Sequence, residues 1–152
     1  MTVQVGIVRS QADLQAALAV RRSVFIEEQA VPEDLEIDQH DQDPATLTTA
    51  VHVLARSNGV AVATGRLLLE HPAGEHAHIG RVAVLSEYRG RGLGRLVMEA
   101  LQDEARRRGL PGITLAAQLH AIGFYERLGY RVYGDVFLDA GIEHRWMDLT
   151  LA

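Results

Sequence analysis

A glycine-rich turn with three arginines is the part of this sequence best suited to chemistry. Residues 89–95 read Arg-Gly-Arg-Gly-Leu-Gly-Arg and follow a run rich in Ile and Val. The first N–H groups of a helix lack intrahelical partners and carry partial positive charge, and glycine lets the backbone approach a ligand closely. The turn therefore predicts a site for an anion, typically a phosphate, at the start of a helix.

Two common phosphate-binding motifs do not match this turn. The dinucleotide fingerprint needs Gly-x-Gly-x-x-Gly, and after Gly90 and Gly92 its third glycine would fall at Arg95. A P-loop needs Gly-Lys followed by Ser or Thr, which the chain lacks. The spacing Arg-x-x-Gly-x-Gly is short enough to arise by chance, so a second element matters. Residues 124–130, Phe-Tyr-Glu-Arg-Leu-Gly-Tyr, supply it as a short predicted helix behind a predicted strand.

Taken together, the two motifs resemble those of the GNAT superfamily of acyl-CoA-dependent N-acyltransferases. The 89–94 turn is similar to that family's pyrophosphate-binding motif, and residues 124–130 are similar to its second cofactor-side motif. The resemblance covers essentially the whole chain and is closer still to the ElaA-like branch. Segments that resemble signatures of that branch are residues 24–29, 79–84, 115–118 and 141–144.

The resemblance implies acetyl-CoA as co-substrate, with no metal. Backbone N–H groups of residues 90–95 would hold the pyrophosphate, the pantetheine arm would pair like an extra strand with residues 82–84, and Tyr125 would protonate the leaving thiolate. A backbone N–H of residues 82–84 would polarise the thioester carbonyl. The implied cofactor-binding residues are Val82, Ala83, Val84, Arg89, Gly90, Arg91, Gly92, Leu93, Gly94, Arg95, Gln118 and Tyr125.

The expected reaction is transfer of acetyl to a primary amine of a small molecule or peptide, by direct attack in a ternary complex. With no cysteine, a thiol-linked acyl-enzyme cannot form. The general base is open: Glu28 and His144 are preferred because both lie in branch-like segments, and a water relay is an alternative. Further base candidates are Asp38, His40, Glu70 and His120, and Arg81 is a residue that could orient an anionic acceptor.

The elements that must position these residues follow from hydrophobic periodicity and turn signals. Their order is β-α-ββ-β-α-β-α-ββ, which predicts a single α/β domain of α+β type over residues 1–152. The expected sheet is mixed, mostly antiparallel and has about six to seven strands. Strands are predicted at 3–8, 48–56, 60–69, 77–85, 113–117, 130–138 and 143–150, and helices at 11–29, from about 93 to Gly109, and at 121–128.

Composition excludes several other classes of protein. Twenty acidic residues against fifteen basic ones argue against nucleic-acid binding, and the absence of cysteine excludes disulfide scaffolds and iron–sulfur clusters. No signal peptide or spanning segment is recognisable, so a cytoplasmic protein without membrane association is expected. His71, His76, His78 and Glu75 are better explained by a solvated hairpin than by a metal site.

Three further expectations remain open. The acidic segment 33–43 is predicted as a solvated loop, or else as a cover over the acceptor site whose negative potential favours a cationic amine. Exposed edges of the last two strands favour a homodimer. The alternatives to an acyltransferase are a non-catalytic acyl-CoA sensor on the same fold, a different phosphate-ligand enzyme such as a nucleotide binder, and an interaction module without a ligand.

Overall fold

Seven strands form one sheet in the computed structural model, which describes residues 2–69 and 76–151. The spatial order is β1-β2-β3-β4-β5-β7-β6, and only the β4–β5 pair is parallel. The predicted fold class and element order are confirmed. The strands are β1 (Val3–Ile7), β2 (Ala50–Ser57), β3 (Val60–Leu68), β4 (Ala77–Val84), β5 (Gly112–Gln118), β6 (Arg131–Asp139) and β7 (Ile142–Thr150), and the α-helices are α1 (Gln11–Arg21), α2 (Glu33–Glu36), α3 (Leu93–Arg107) and α4 (Ile122–Arg127).

Helix α1 covers one face of the sheet and continues directly into a π-helix, which is wider than an α-helix. Its first turn is capped by Ser10, whose hydroxyl accepts a hydrogen bond from the Asp13 N–H at 3.1 Å. The prediction of one helix over 11–29 is corrected here, because residues 22–28 form a π-helix, with the Gln29 N–H donating to the Val24 carbonyl at 3.1 Å. π-Helical turns are rare and concentrate at functional sites.

Helix α3 covers the opposite face and packs very close to β3. A Cβ added to Gly65 would lie 2.8 Å from Val97 Cγ1 and 2.9 Å from Leu101 Cδ1. Glycine at this position therefore allows the close approach of α3, and it fixes which face of β3 looks toward that helix. The neighbouring side chain of β3, Arg66, points to the opposite face, where α1 lies, because side chains alternate along a strand.

Two tight turns join β2 to β3 and β6 to β7. Asn58 and Gly59 have φ of 49° and 82°, and Ala140 and Gly141 have φ of 51° and 76°. Positive φ at both central residues is the type I′ geometry that Asn-Gly sequences favour. Among the earlier candidates, Glu70, His71 and Glu75 lie outside the described residues.

Strands β4 and β5 separate soon after they begin. Their pairing consists of Ala77 with Ile113 and His78 with Thr114. Beyond that point β4 contains a bulge opposite Gly65, in which Arg81 has φ of +54°. A bulge bends its strand and redirects a side chain. The two strands consequently diverge toward their carboxyl ends and leave an opening through the sheet.

Candidate active site

A cavity of about 740 Å³ fills the opening between β4 and β5. On the α3 side it is lined by Gly94, Phe124 and Tyr125, and on the α1 side by residues such as Arg66 and His144. Register supports this division, because Ala117 of β5 belongs to the core beneath α3 while the next residue, Gln118, points to the other face opposite His144. One ligand can thus enter from each face of the sheet, and the two ligands can meet within the opening between β4 and β5.

The glycine turn lies at the α3 end of this cavity. Gly90 and Gly92 both have φ of +78°, and Gly92 precedes the first residue of α3 in a left-handed conformation. No side chain caps the start of α3, and a Cβ added to either glycine would meet no atom within 4 Å. The first N–H groups of a helix lack intrahelical partners, so this uncapped start of α3 fits the pyrophosphate that the resemblance implies. Leu93 contributes only its backbone, since its side chain is buried in the core.

We expect Gly92→Ala to weaken coenzyme A binding by about 5- to 30-fold, because a non-glycine residue in this conformation costs about 1–2 kcal/mol. Isothermal titration calorimetry measures the change. Gly59→Ala is the matched control, since Gly59 has φ of +82° in a hairpin away from the cavity. The control should lose stability and keep its affinity for coenzyme A. Equal affinities of Gly92→Ala and wild type would contradict the assignment of the turn.

Two predicted site residues, Arg89 and Glu28, bind each other. Arg89 Nη1 and Nη2 each lie 2.7 Å from a carboxylate oxygen of Glu28, and Arg89 Nε donates to the Val84 carbonyl at 3.0 Å. The hydrogen bonds from Arg89 lower the pKa of Glu28. The pair ties the glycine turn to the end of the π-helix. The other two arginines of the turn lie at its surface: Arg91 covers the ring of Tyr88 at 5.2 Å, and Arg95 lies 3.8 Å from Glu99.

The edge of β4 directs backbone groups into the opening. The Leu85 N–H donates to Val62 of β3, so alternate residues of this stretch point toward β3 and those between them point away. Val82 and Val84 therefore turn their N–H and C=O groups toward the gap left by β5. The Val84 carbonyl already accepts a hydrogen bond from Arg89, and the side chain of Ala83 packs against α1-side residues.

Tyr125 differs sharply from its neighbour Tyr130. The Tyr130 ring is buried and its hydroxyl donates to Gln102 Oε1 at 3.0 Å. Tyr125 lines the cavity in edge contact with Phe124 and Tyr130, and within the described ranges its hydroxyl makes no hydrogen bond. Burial raises the pKa of Tyr125 to about 12. It is therefore a protonated phenol at neutral pH with its O–H available to a ligand.

His144 presents a proton acceptor from the other face. Its Nδ1 lies 2.7 Å from the Ile142 carbonyl. A carbonyl only accepts hydrogen bonds, so Nδ1 carries a proton, and in the neutral imidazole Nε2 is then the nitrogen with the lone pair. The imidazole lines the cavity and stacks on Phe137 with ring centroids 5.8 Å apart. Beside it, Gln118 and Gln29 exchange side-chain hydrogen bonds of 3.0 and 3.4 Å, which connect β5 to the end of the π-helix.

The remaining base candidates are less well placed. His120 lines the cavity but lies at its exposed rim, in a 3₁₀ turn. Asp38 is bound by Arg66, and His40 Nδ1 lies 2.9 Å from the Thr49 hydroxyl; neither residue lines the cavity.

The acidic segment 33–43 is not a solvated loop, and that prediction is corrected. It begins with the single turn α2, and three of its acids are held by three arginines from elsewhere in the chain. Arg21 contacts Glu36 and Asp41 at 2.8 and 2.6 Å. The remaining short contact joins Arg66 to Asp38 at 2.6 Å, and the longer ones join Arg66 to Asp41 and Arg81 to Glu36 and Asp38. The potential of this segment is consequently far less negative than its six acids suggest.

Sequence reasoning missed Arg21 and Arg66 altogether, although both arginines are almost fully buried. The available signal was a charged residue inside an otherwise apolar strand or helix face, since such residues are rarely buried unless paired. Arg81 was considered only as a contact for an acceptor. The available signal for the bulge was Gly80, because an isolated glycine inside a strand can mark one.

The sequence profile of the acetyltransferase (GNAT) family matches residues 15–130. The chain belongs to this family. The N-acetyltransferase YjcF of Bacillus subtilis is 34% identical over 142 residues, which cover 93% of this chain and 95% of YjcF. An acyl-CoA N-acyltransferase structure from Pseudomonas aeruginosa is 30% identical with a TM-score of 0.82, and Escherichia coli ElaA is 28% identical with a TM-score of 0.83. In both structures the match covers 97% of this chain and 99% of the other.

These findings confirm the predicted GNAT membership and the likeness to ElaA. The protein is an N-acetyltransferase that carries out acyl-CoA-dependent acyl transfer. Within the described part of the chain, no three His, Asp or Glu side chains are grouped so that they could hold a metal ion. None of the helices found there is long and apolar enough to cross a membrane.

Proposed function

We propose that this GNAT protein transfers acetyl from acetyl-CoA to a primary amine by direct attack within a ternary complex. The observation that carries the proposal is the placement of Tyr125 and His144 on opposite sides of one opening in the sheet. A proton donor for the departing thiolate belongs on the coenzyme side, and a proton acceptor belongs on the amine side. The cavity offers both.

In the proposed step the amine nitrogen attacks the thioester carbonyl carbon. A C–N bond forms and the C–S bond breaks, so the products are an acetamide and coenzyme A. His144 Nε2 takes the proton that the nitrogen loses, and the Tyr125 hydroxyl gives a proton to the sulfur. A backbone N–H of the β4 edge at Val82 or Val84 polarises the carbonyl oxygen.

The acetyl-CoA site is assigned to the glycine turn and the free edge of β4. N–H groups at the start of α3 hold the pyrophosphate, and the pantetheine arm lies along residues 82–84, where β5 has diverged. Gln118, paired with Gln29, borders the same opening. Arg89 stabilises the turn through its hydrogen bonds to Glu28 and to the Val84 carbonyl.

Glu28 is proposed as a positioning residue for Arg89 and not as the base. We expect Glu28→Gln to raise the KM for acetyl-CoA by about 2- to 5-fold with kcat nearly unchanged, because half-exposed ion pairs contribute about 0.2–1 kcal/mol. Steady-state kinetics at varied acetyl-CoA separate the two constants. A general base would instead show a loss of about 10²-fold or more in kcat, which would return Glu28 to the catalytic residues.

Calorimetric titration with acetyl-CoA, coenzyme A and ADP tests the cofactor assignment, followed by an amine panel assayed for released thiol. Micromolar binding that requires the pantetheine arm, together with thiol release, supports the transferase. Binding without turnover for any amine supports the alternative, a non-catalytic acyl-CoA sensor. Equal binding of ADP would favour a nucleotide binder, and no binding at all would leave the glycine turn as a simple helix start.

The homodimer is also proposed here. Strand β6 forms the outer edge of the sheet, and three of its large apolar side chains are exposed, namely Tyr133, Val136 and Leu138. Open apolar edges are suited to pairing with another chain. Sedimentation velocity is expected to show a dimer that Leu138→Glu dissociates; a monomer at all concentrations would refute it.

The cytoplasmic location stays a prediction.

A further inference from the structure

The acceptor side of the cavity contains two arginines, Arg66 and Arg81. Arg66 is 3% exposed, and its two terminal nitrogens bind Asp38 and Asp41. Its Nε–H has no hydrogen-bond partner, and it is the one buried side-chain nitrogen or oxygen so left among the residues described. An unsatisfied buried donor is costly, and native structures keep few of them.

Arg81 is the least tightly paired of the three arginines around the acidic segment. Its carboxylate contacts are 3.2 Å to Glu36 and 3.6 Å to Asp38, whereas Arg21 and Arg66 each have a contact of 2.6 Å. The other hydrogen bonds of Arg81 go to the Leu35 and Glu36 carbonyls at 3.1–3.3 Å. Its side chain is 26% exposed, and Arg81 is one of the residues that line the cavity.

The charges of this cluster balance in number, but Arg81 is the arginine whose charge is compensated least closely. Three arginines face three carboxylates in this cluster, and burial lowers the pKa of His52 so that the imidazole is neutral. Burial, together with the positive charges of Arg66 and Arg21, lowers the pKa of Arg81 itself. An additional negative charge would relieve this repulsion, whereas a second cation would increase it.

Apolar and aromatic side chains form part of the acceptor side. Leu68 and Trp146 line it together with Leu35, which is 55% exposed at the cavity rim. The Trp146 ring is held by edge contact with His78 at 5.8 Å and by stacking on Phe137 at 4.9 Å. Such a wall offers a binding surface to the apolar part of an acceptor, with the arginines at one end and His144 among its lining residues.

We infer that the acceptor is a primary amine that also carries a carboxylate and an apolar body, as in an α-amino acid with a large aliphatic or aromatic side chain. The carboxylate is bound by Arg81, and the amine is directed toward His144. This inference rests on the proposed function and specifies its acceptor. Guanidinium groups suit carboxylates because their planar N–H groups match the two oxygens.

The test compares amines that differ only in the carboxylate, with thiol release as the measurement. L-Leucine is paired with 3-methylbutylamine and L-phenylalanine with 2-phenylethylamine. L-Leucinamide keeps the α-amine and removes only the negative charge. We expect the amino acids to have kcat/KM about 10- to 100-fold above their partners, which is the usual contribution of hydrogen bonds to a charged group.

Arg81→Gln should abolish this preference while leaving coenzyme A affinity close to wild type. Arg81→Lys keeps the charge and should retain part of the preference for the carboxylate. It provides a second test in case Arg81→Gln does not fold. Arg22→Gln is the matched control, because Arg22 lies on the same side of the molecule, half-exposed beside Glu33 and outside the cavity. It should leave the preference intact.

Each remaining outcome has one meaning. Equal or faster reaction of the uncharged partners overturns the inference, as does retention of the preference in Arg81→Gln. If none of these amines reacts while acetyl-CoA still binds, the acceptor inference fails and the cofactor assignment stands. If acetyl-CoA itself does not bind, the proposed function fails, and the acceptor inference fails with it.

Discussion

Replacing Tyr125 by phenylalanine is expected to lower kcat by about 10²- to 10⁴-fold, the usual range for loss of a general acid. Protonation helps a thiolate to leave, and the Tyr125 hydroxyl, which lines the cavity, is the donor that we propose for this proton. Burial raises its pKa to about 12, so it stays protonated across the physiological range and is ready to donate. Affinity for coenzyme A should be unchanged because the ring remains.

Tyr130→Phe provides the matched comparison five residues away. Its hydroxyl donates to buried Gln102, so its removal leaves an amide oxygen without a donor and should cost about 1–3 kcal/mol of stability. Turnover at a permissive temperature should remain near wild type. The two variants therefore separate a chemical role from a structural one. Equal turnover of Tyr125→Phe and wild type would remove the general acid from the mechanism and make Tyr125 a packing residue.

Much of the fold could be predicted from the sequence because local signals agree with one another. The Asn58-Gly59 turn, the capping Ser10 and the glycine that ends α3 each mark a boundary within a few residues of the observed one. The glycine turn is a local feature as well, since a helix start and its preceding strand are contiguous. Position, length and order of the elements follow from such short-range patterns.

The acceptor side could not be predicted in the same way because it is assembled from distant segments. Arg21, Arg66 and Arg81 come from one helix and two strands, and each finds its carboxylates in residues 36–41. Ion pairing across such separations leaves no periodic pattern. The bulge at Arg81 is only weakly indicated by Gly80, since it depends on the register between β3 and β4 and on the small Gly65 opposite.

The two preferred base candidates, Glu28 and His144, show where prediction from the sequence ends. Glu28 and His144 were chosen only for the segments in which they lie. The structure pairs Glu28 with Arg89 in a bidentate contact, and a carboxylate stabilised in this way is a weaker base. It leaves His144 Nε2 without a protein partner in the described chain. The hydrogen-bond partners thus favour His144 over Glu28 as the base. Only the three-dimensional structure provides those partners, so the sequence could not separate the two residues.

Asp41→Asn is expected to destabilise the protein by about 3–5 kcal/mol, the usual cost of removing one partner from a buried ion pair. The Asp41 side chain is fully buried and binds both nitrogens of the Arg21 fork, at 2.6 and 2.9 Å, as well as Arg66. Asparagine keeps the shape but supplies one oxygen and no charge, so two buried guanidiniums lose their shared anion. Urea unfolding measures the difference in the free energy of unfolding.

Asp34→Asn in the same segment is the matched control. Asp34 is exposed in α2, so its substitution should change stability by less than about 0.5 kcal/mol. Similar losses in both variants would mean that residues 33–43 tolerate no change for reasons unrelated to the arginines. A loss below about 1 kcal/mol for Asp41→Asn would mean that water replaces the missing charge, and the arginine cluster would then not be the frame of the acceptor side.

The pH dependence of the free energy of unfolding provides a second check on the Asp41→Asn prediction. Burial alone would raise the pKa of Asp41, but hydrogen bonds and charge from Arg21 outweigh it and hold that pKa below its ordinary value of about 3.9. A depressed folded-state pKa stabilises the protein above the unfolded-state value, and this contribution disappears as the pH falls through the folded-state value. The stability gap between wild type and Asp41→Asn should therefore be constant above about pH 5 and shrink progressively below pH 4. A gap that widened on acidification would contradict the ion pair as its source.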